Sequence, residues 1–141
     1  MLFIDDDKSL QLLASVMLNS KLFKVLGAEN TKEADKILAE NNIELIICDV
    51  MMPDEDGISY CLRLKRAGNR IPFLILSAVG DPRAIERGMQ AGANQYLIKP
   101  FDVVELQKQM LTMTGRKVVD HATPKDSPPG TGAKFLNWFR H

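Results

Sequence analysis

Nowhere in this 141-residue sequence is there an apolar run near the ~20 residues that a membrane-spanning helix needs. No membrane insertion is expected. A charged-then-apolar signal segment is missing at the N-terminus too, because Asp5 arrives too early, and a cytoplasmic protein is the expectation. Cysteine is scarce: Cys48 and Cys61 are the only 2, too few for a disulfide framework. Cys48 lies in a strand-like apolar run and Cys61 in a helix-like one, which reads as buried thiols in a reducing compartment. Charge of one sign is lacking as well. The 18 basic and 18 acidic residues cancel, whereas a general nucleic-acid binder needs a basic excess to displace counterions, so no direct nucleic-acid binding is expected. No internal repeat is visible.

What is present is a globular composition, 45% hydrophobic and 26% charged, at a length that suits one domain with a real core. Short apolar runs alternate with amphipathic segments. LFI (2–4) reads as a strand. Residues 8–18 place Leu10, Leu13, Ala14, Met17 and Leu18 on one helical face. LFKVLGA (22–28) reads as a second strand, and Thr31 as the cap of a helix striped by Ala34, Ile37 and Leu38. ELIICD (44–49) is continuous and apolar until its acid, as a central parallel strand covered on both faces would be. Residues 57–67 form a third helix, FLILS a fourth strand through Ser77, and Pro82 suits the first turn of a fourth helix. QYLIK (95–99) is the last strand and 102–113 the last helix. Five β-then-α units imply a parallel sheet with right-handed crossovers. The expected fold is α/β, a flavodoxin-like doubly wound (βα)5 with a five-stranded sheet in the order 2-1-3-4-5. Residues 1–113 form this domain. Residues 114–141 read as a flexible linker and tail: HATPKDSPPGTGAK is rich in proline and glycine, and FLNWFRH ends the chain with Trp138 between two phenylalanines, suited to an apolar groove.

In such folds the site lies beyond the carboxyl ends of the strands, near the switch point between strands 1 and 3. Asp5 and Asp6 follow strand 1 and Asp49 ends strand 3, so three carboxylates converge there. Like charges this close raise one another's pKa unless something compensates, and an oxygen-rich, partly open site suits Mg2+. Ser77 and Lys99 close strands 4 and 5 at the same sheet end. A hydroxyl, an ammonium, three carboxylates and a metal resemble a phosphoryl-transfer site, in which Asp49 is the best nucleophile candidate. A calcium-loop reading of residues 52–63 fails, since Met52 and Arg63 would stand at its first and last ligand positions.

LFIDDD, IICDVMMPDEDG, LILSA and YLIKPF, in that order and each at a strand end, resemble the receiver domain of bacterial two-component response regulators (CheY-like) over residues 1–113. The resemblance implies that Asp49 is the phosphoacceptor. It implies that Asp6, Asp49 and the backbone carbonyl of Met51 bind Mg2+ directly, with Asp5 acting through metal-bound water. Ser77 and Lys99 would contact the phosphoryl group, and Tyr96 would be the aromatic residue that turns inward on activation, with Ala78 keeping the pocket open. The implied partners are a sensor histidine kinase or phosphotransfer protein, a downstream effector or the chain's own output domain, and a second copy pairing through the helix 4, strand 5 and helix 5 face. The protein would be no enzyme beyond supporting its own phosphorylation and dephosphorylation.

Two departures stand out. Asp54-Glu55-Asp56 is a denser acidic run than the family's single acid before glycine. Met51 and Val79 carry no acid or amide to orient an attacking water, so self-dephosphorylation is expected to be slow. The alternatives are a Mg2+-dependent aspartyl-nucleophile phosphatase resembling haloacid dehalogenases, for which Asp5 and Asp7 have the spacing but no cap insertion is visible, and a receiver-like scaffold that takes no phosphate.

Overall fold

The computed structural model describes residues 1–18 and 23–115. Residue 22 of the expected second strand and the tail from residue 116, Trp138 included, lie outside the described residues. Strands and helices alternate: β1 (Leu2–Ile4), α1 (Lys8–Leu18), β2 (Leu26–Ala28), α2 (Thr31–Glu40), β3 (Ile46–Cys48), α3 (Gly57–Arg66), β4 (Phe73–Ser77), α4 (Pro82–Gln90), β5 (Gln95–Ile98) and α5 (Val103–Thr114). All strand pairings are parallel and the sheet order is β2-β1-β3-β4-β5, the flavodoxin-like order expected. The chain divides into two units, Met1–Pro100 and Phe101–His141.

In the first unit, β1, β3 and β4 are buried along their whole length, as central parallel strands must be. One face of the sheet presents Leu2, Ile4, Ile46, Cys48, Phe73 and Ile75 to Ala34 of α2 and to Tyr60, Cys61 and Leu64 of α3. The other face carries Phe3 and Gly27, and α1 lies over it with the Gln11 side chain against Gly27.

Asp56 and Asp81 accept a hydrogen bond from the backbone N–H three residues on and so start α3 and α4, with Pro82 pre-set for the first turn. Asp7 does the same for α1, accepting from Ser9 N–H at 2.9 Å and Leu10 N–H at 3.2 Å. The cap of α2 is Asn30, not Thr31 as the sequence predicts. Thr31 instead enters the first turn, where it is buried and its hydroxyl serves another partner. The second strand is shorter than the apolar run 22–28: among the described residues it pairs with the three residues of β1 alone. The stripe of α1 is also narrower than predicted: Ala14 and Leu18 are buried, but Leu13 and Met17, on one flank of that stripe, are 47% and 42% exposed. In the second unit, α5 starts from Asp102, whose carboxylate accepts from Val104 N–H, and it ends at Gly115.

Candidate functional site

Asp5 leaves β1 and Asp49 leaves β3, and the two strands are hydrogen-bonded neighbours. Asp49 N–H donates to Ile4 O at 2.9 Å, which extends the ladder by one residue and sets the two acids side by side. Asp5 is held more firmly still. Its N–H donates to Ala28 O at 3.0 Å, and its carbonyl accepts Gln11 Nε2 at 2.6 Å, a nitrogen that also donates to Ala28 O at 2.7 Å. Asp5 and Asp49 are buried, while Asp6 faces solvent. One carboxylate oxygen from each of Asp5, Asp6 and Asp49 lies within 4.8 Å of the others.

Lys99 reaches this cluster from the end of β5. Its N–H donates to Ser77 O at 2.7 Å, which fixes the backbone, and its Nζ lies 2.8 Å from Asp5 Oδ2 and 3.4 Å from Asp49 Oδ2. The Lys99–Pro100 peptide bond is cis. Burial pushes the Asp49 carboxyl up from its ordinary range; Lys99 opposes this, Asp5 adds to it, and the Met51 N–H opposes it again. For Lys99 burial works against the charge, but the hydrogen bond and charge of Asp5, with the charge of Asp49, hold the ammonium above its usual value. Burial drives the Cys48 thiol well up, so it stays a neutral core group.

Three carboxylates face a single ammonium, a formal excess of two negative charges. An all-oxygen donor set with that excess, buried on two sides and open at Asp6, fits a small hard divalent cation that keeps part of its water shell. Mg2+ fits better than a softer metal, since among the described residues the cluster's donors are carboxylates alone.

The remaining predicted residues stand around this centre. Met51 donates its N–H to Asp49 Oδ1 at 3.4 Å, and its side chain is 65% exposed at the rim. Ser77 is fully buried at the end of β4, and its Oγ accepts Val79 N–H at 3.0 Å. Tyr96 is half-buried, and its hydroxyl donates to the Val79 carbonyl. Ser77, Val79 and Tyr96 thus form one hydrogen-bonded chain beside the acidic cluster.

Two contributors have roles that only the packing shows. Gln11 reads as a polar position on a helix, and only the fold brings it under both Asp5 and Ala28. Gly57 reads as a helix start, yet a Cβ there would stand 2.0 Å from the Asp49 carbonyl oxygen. A residue with no side chain is what lets α3 begin against the strand end that carries Asp49.

Residues 1–111 match the response regulator receiver domain family. The response regulator MprA of Mycobacterium sp. (strain KMS) is 31% identical over 136 residues, covering 96% of this chain and 57% of that protein. The transcriptional regulatory protein SrrA of Staphylococcus aureus (strain NCTC 8325 / PS 47) is 32% identical over 126 residues, covering 87% of this chain and 52% of that protein. The chain therefore spans a little over half the length of these curated relatives. The solved receiver domain of a Francisella response regulator superposes with a TM-score of 0.76 at 31% identity, over 81% of this chain and 94% of that one.

Proposed function

The chain belongs to the response regulator receiver domain family, and from that premise we propose that it is a phosphoacceptor switch whose acceptor is Asp49. The observation that carries the reading is the placement of the Lys99 ammonium across Asp5 and Asp49, at 2.8 and 3.4 Å, at the mouth of the three-carboxylate cluster. A sensor histidine kinase or phosphotransfer protein presents a phosphohistidine. An Asp49 oxygen forms the new P–O bond as the donor's P–N bond breaks, and the product is an aspartyl phosphate. Asp6, Asp49 and the Met51 carbonyl would hold Mg2+, with Asp5 acting through its water, and the ion would supply neutralisation of the phosphoryl oxygens. Lys99 adds a second positive charge there, and the Ser77 hydroxyl donates a hydrogen bond.

The chain of Ser77, Val79 and Tyr96 converts that event into a population shift. A phosphoryl group on Asp49 draws the Ser77 hydroxyl toward it, and the balance of Tyr96 positions follows. The face on helix 4 and strand 5 then changes for its reader, a downstream effector, an output domain or a second copy. Exposed Met89 on α4 and Ile98 on β5 support this, since they offer apolar surface on both elements. Among the described residues no helix is long and apolar enough to cross a membrane, and a cytoplasmic site of action follows from the proposed kinase partnership. The protein would catalyse nothing but its own phosphorylation and dephosphorylation.

Incubation with Mg2+ and a labelled acyl phosphate tests the reading. One alkali-labile label per chain, mapping to Asp49, is expected. Repeated turnover of the donor with label on Asp5 would identify a phosphatase instead.

A further inference from the structure

The helix α4 carries a glycine in its interior. Gly88 is buried, and with Ala84 one turn earlier it makes the face that α4 turns toward the sheet. Alanine is the better helix former at such a position, so a glycine there needs a packing reason. The reason is a close approach. A Cβ on Gly88 would stand 2.8 Å from Ile75 Cδ1, 3.0 Å from Tyr96 Cδ2 and 3.3 Å from Tyr96 Cε2. All three distances fall inside the ~3.5–4.0 Å at which carbon atoms rest against each other. The same ring delivers its hydroxyl to the Val79 carbonyl, and Val79 N–H is bonded to Ser77 Oγ.

We propose that Gly88 is a positioning residue for the switch: the methyl it lacks leaves the seat in which the Tyr96 ring lies inward, and so α4 sets the resting bias of the Ser77–Val79–Tyr96 chain. Of the two side chains a methyl would strike, the tyrosine is the one that yields. Ile75 is fully buried in β4, held between β3 and β5. Tyr96 lies on the edge strand β5 and is only partly buried, so fewer neighbours hold it in place. The regulatory meaning rests on the proposed role of Asp49; the seat itself does not.

The test is therefore made on the unphosphorylated chain. The protein has 2 tyrosines, so ring-labelled tyrosine gives two sets of NMR signals, and Tyr96→Phe assigns them. In Gly88→Ala the Tyr96 signals are expected to move toward solvent-exposed values while those of Tyr60 stay. In Met89→Ala, an exposed neighbour on α4, neither set moves. A double-mutant cycle covers the case of a poorly folded variant: Gly88→Ala should lower the unfolding midpoint less in a Tyr96→Leu background than in the wild type, since the approach to Ile75 is common to both and only the approach to the ring is removed. Unmoved Tyr96 signals in folded Gly88→Ala, an equal shift in Met89→Ala, or the same effect of Gly88→Ala in both backgrounds would overturn the proposal. Phosphate labelling of Asp49 is measured separately; a displaced Tyr96 with no label on Asp49 sinks the phosphoacceptor reading and leaves the seat standing.

Discussion

Thr31 and Asp54, 23 residues apart in the chain, are joined by three hydrogen bonds: the Thr31 hydroxyl donates to Asp54 Oδ2 at 2.6 Å, and the Thr31 N–H lies 3.1 and 3.3 Å from the two carboxylate oxygens. The contact fastens the loop after β3, which carries Met51, to the first turn of α2. Burial acts to raise the Asp54 carboxyl, but the bonds from the Thr31 hydroxyl, Thr31 N–H and Glu55 N–H together lower it to about 2.

That shift gives a signed pH dependence. A carboxyl whose folded value lies below its unfolded one stabilises the fold above the ordinary carboxylate range, and the contribution is lost as pH falls through the folded value. Thr31→Val removes the hydroxyl donor and should cost about 1 kcal/mol at neutral pH. The gap to wild type should shrink as pH drops from about 4 toward the folded value of about 2. Urea unfolding at a series of pH values measures it; a gap that stays constant would mean Asp54 is not the partner that matters.

The two ends of the Lys99–Asp49 pair should respond with opposite signs. Without a divalent cation, Asp49→Asn relieves a buried carboxylate next to Asp5 and should raise the melting temperature. Lys99→Met leaves Asp5, 2% exposed, and Asp49 without their ammonium. About 3 kcal/mol of destabilisation is expected, the low end for breaking a buried pair, since the lysine side chain is 21% exposed. Thermal melts in chelator read both, and a melting temperature lowered by Asp49→Asn would contradict the electrostatic account.

Gly57→Ala must move backbone, because the atom its Cβ meets at 2.0 Å is the Asp49 carbonyl oxygen and not a flexible side chain. A cost of roughly 2–3 kcal/mol is expected, at the upper end for overpacking. Phosphate uptake should slow as well, since the shifted segment carries Asp49, the proposed acceptor. Denaturant unfolding and labelling kinetics on one preparation check both; full stability with normal labelling would refute the close approach.

Met51, whose N–H meets Asp49 Oδ1 at 3.4 Å, and Val79, which is bonded to Ser77, carry no acid or amide side chain. The Met51 side chain is largely exposed, and the Val79 backbone is spent on Ser77 and Tyr96. Met51→Asn should speed loss of the aspartyl phosphate by about tenfold, short of the ~100-fold of a true general base. The decay of labelled protein gives the rate. A variant that loses phosphate no faster than wild type would show that the rim does not limit hydrolysis.

The sheet was legible because each buried strand reads as a short apolar run and each crossover as a longer 3.6-residue stripe, and length with flanking turn residues, rather than periodicity alone, separates the two. The acids were legible because a carboxylate ending a buried run needs a partner, and strand order alone brings Asp5, Asp6, Asp49 and Lys99 to one end. What the sequence could not give is contact between distant elements. The acidic run Asp54-Glu55-Asp56 looks uniform, yet each member does a different thing. Asp54 holds Thr31, Glu55 accepts Arg63 at 3.0 Å, and Asp56 caps α3 by accepting Ser59 N–H at 2.8 Å. Gly88 and Gln11 likewise become meaningful only once Tyr96 and Ala28 are packed against them. The stripe of α1 was drawn too wide, since periodicity counts apolar residues without knowing how much of the helix the sheet covers.

The central claim, that Asp49 takes the phosphoryl group, is tested most directly by intact-protein mass spectrometry after exposure to Mg2+ and an acyl phosphate donor. The wild-type chain should gain the mass of one phosphoryl group and Asp49→Ala should gain none. A wild type that gains nothing, or an alanine variant that gains as much, would contradict it.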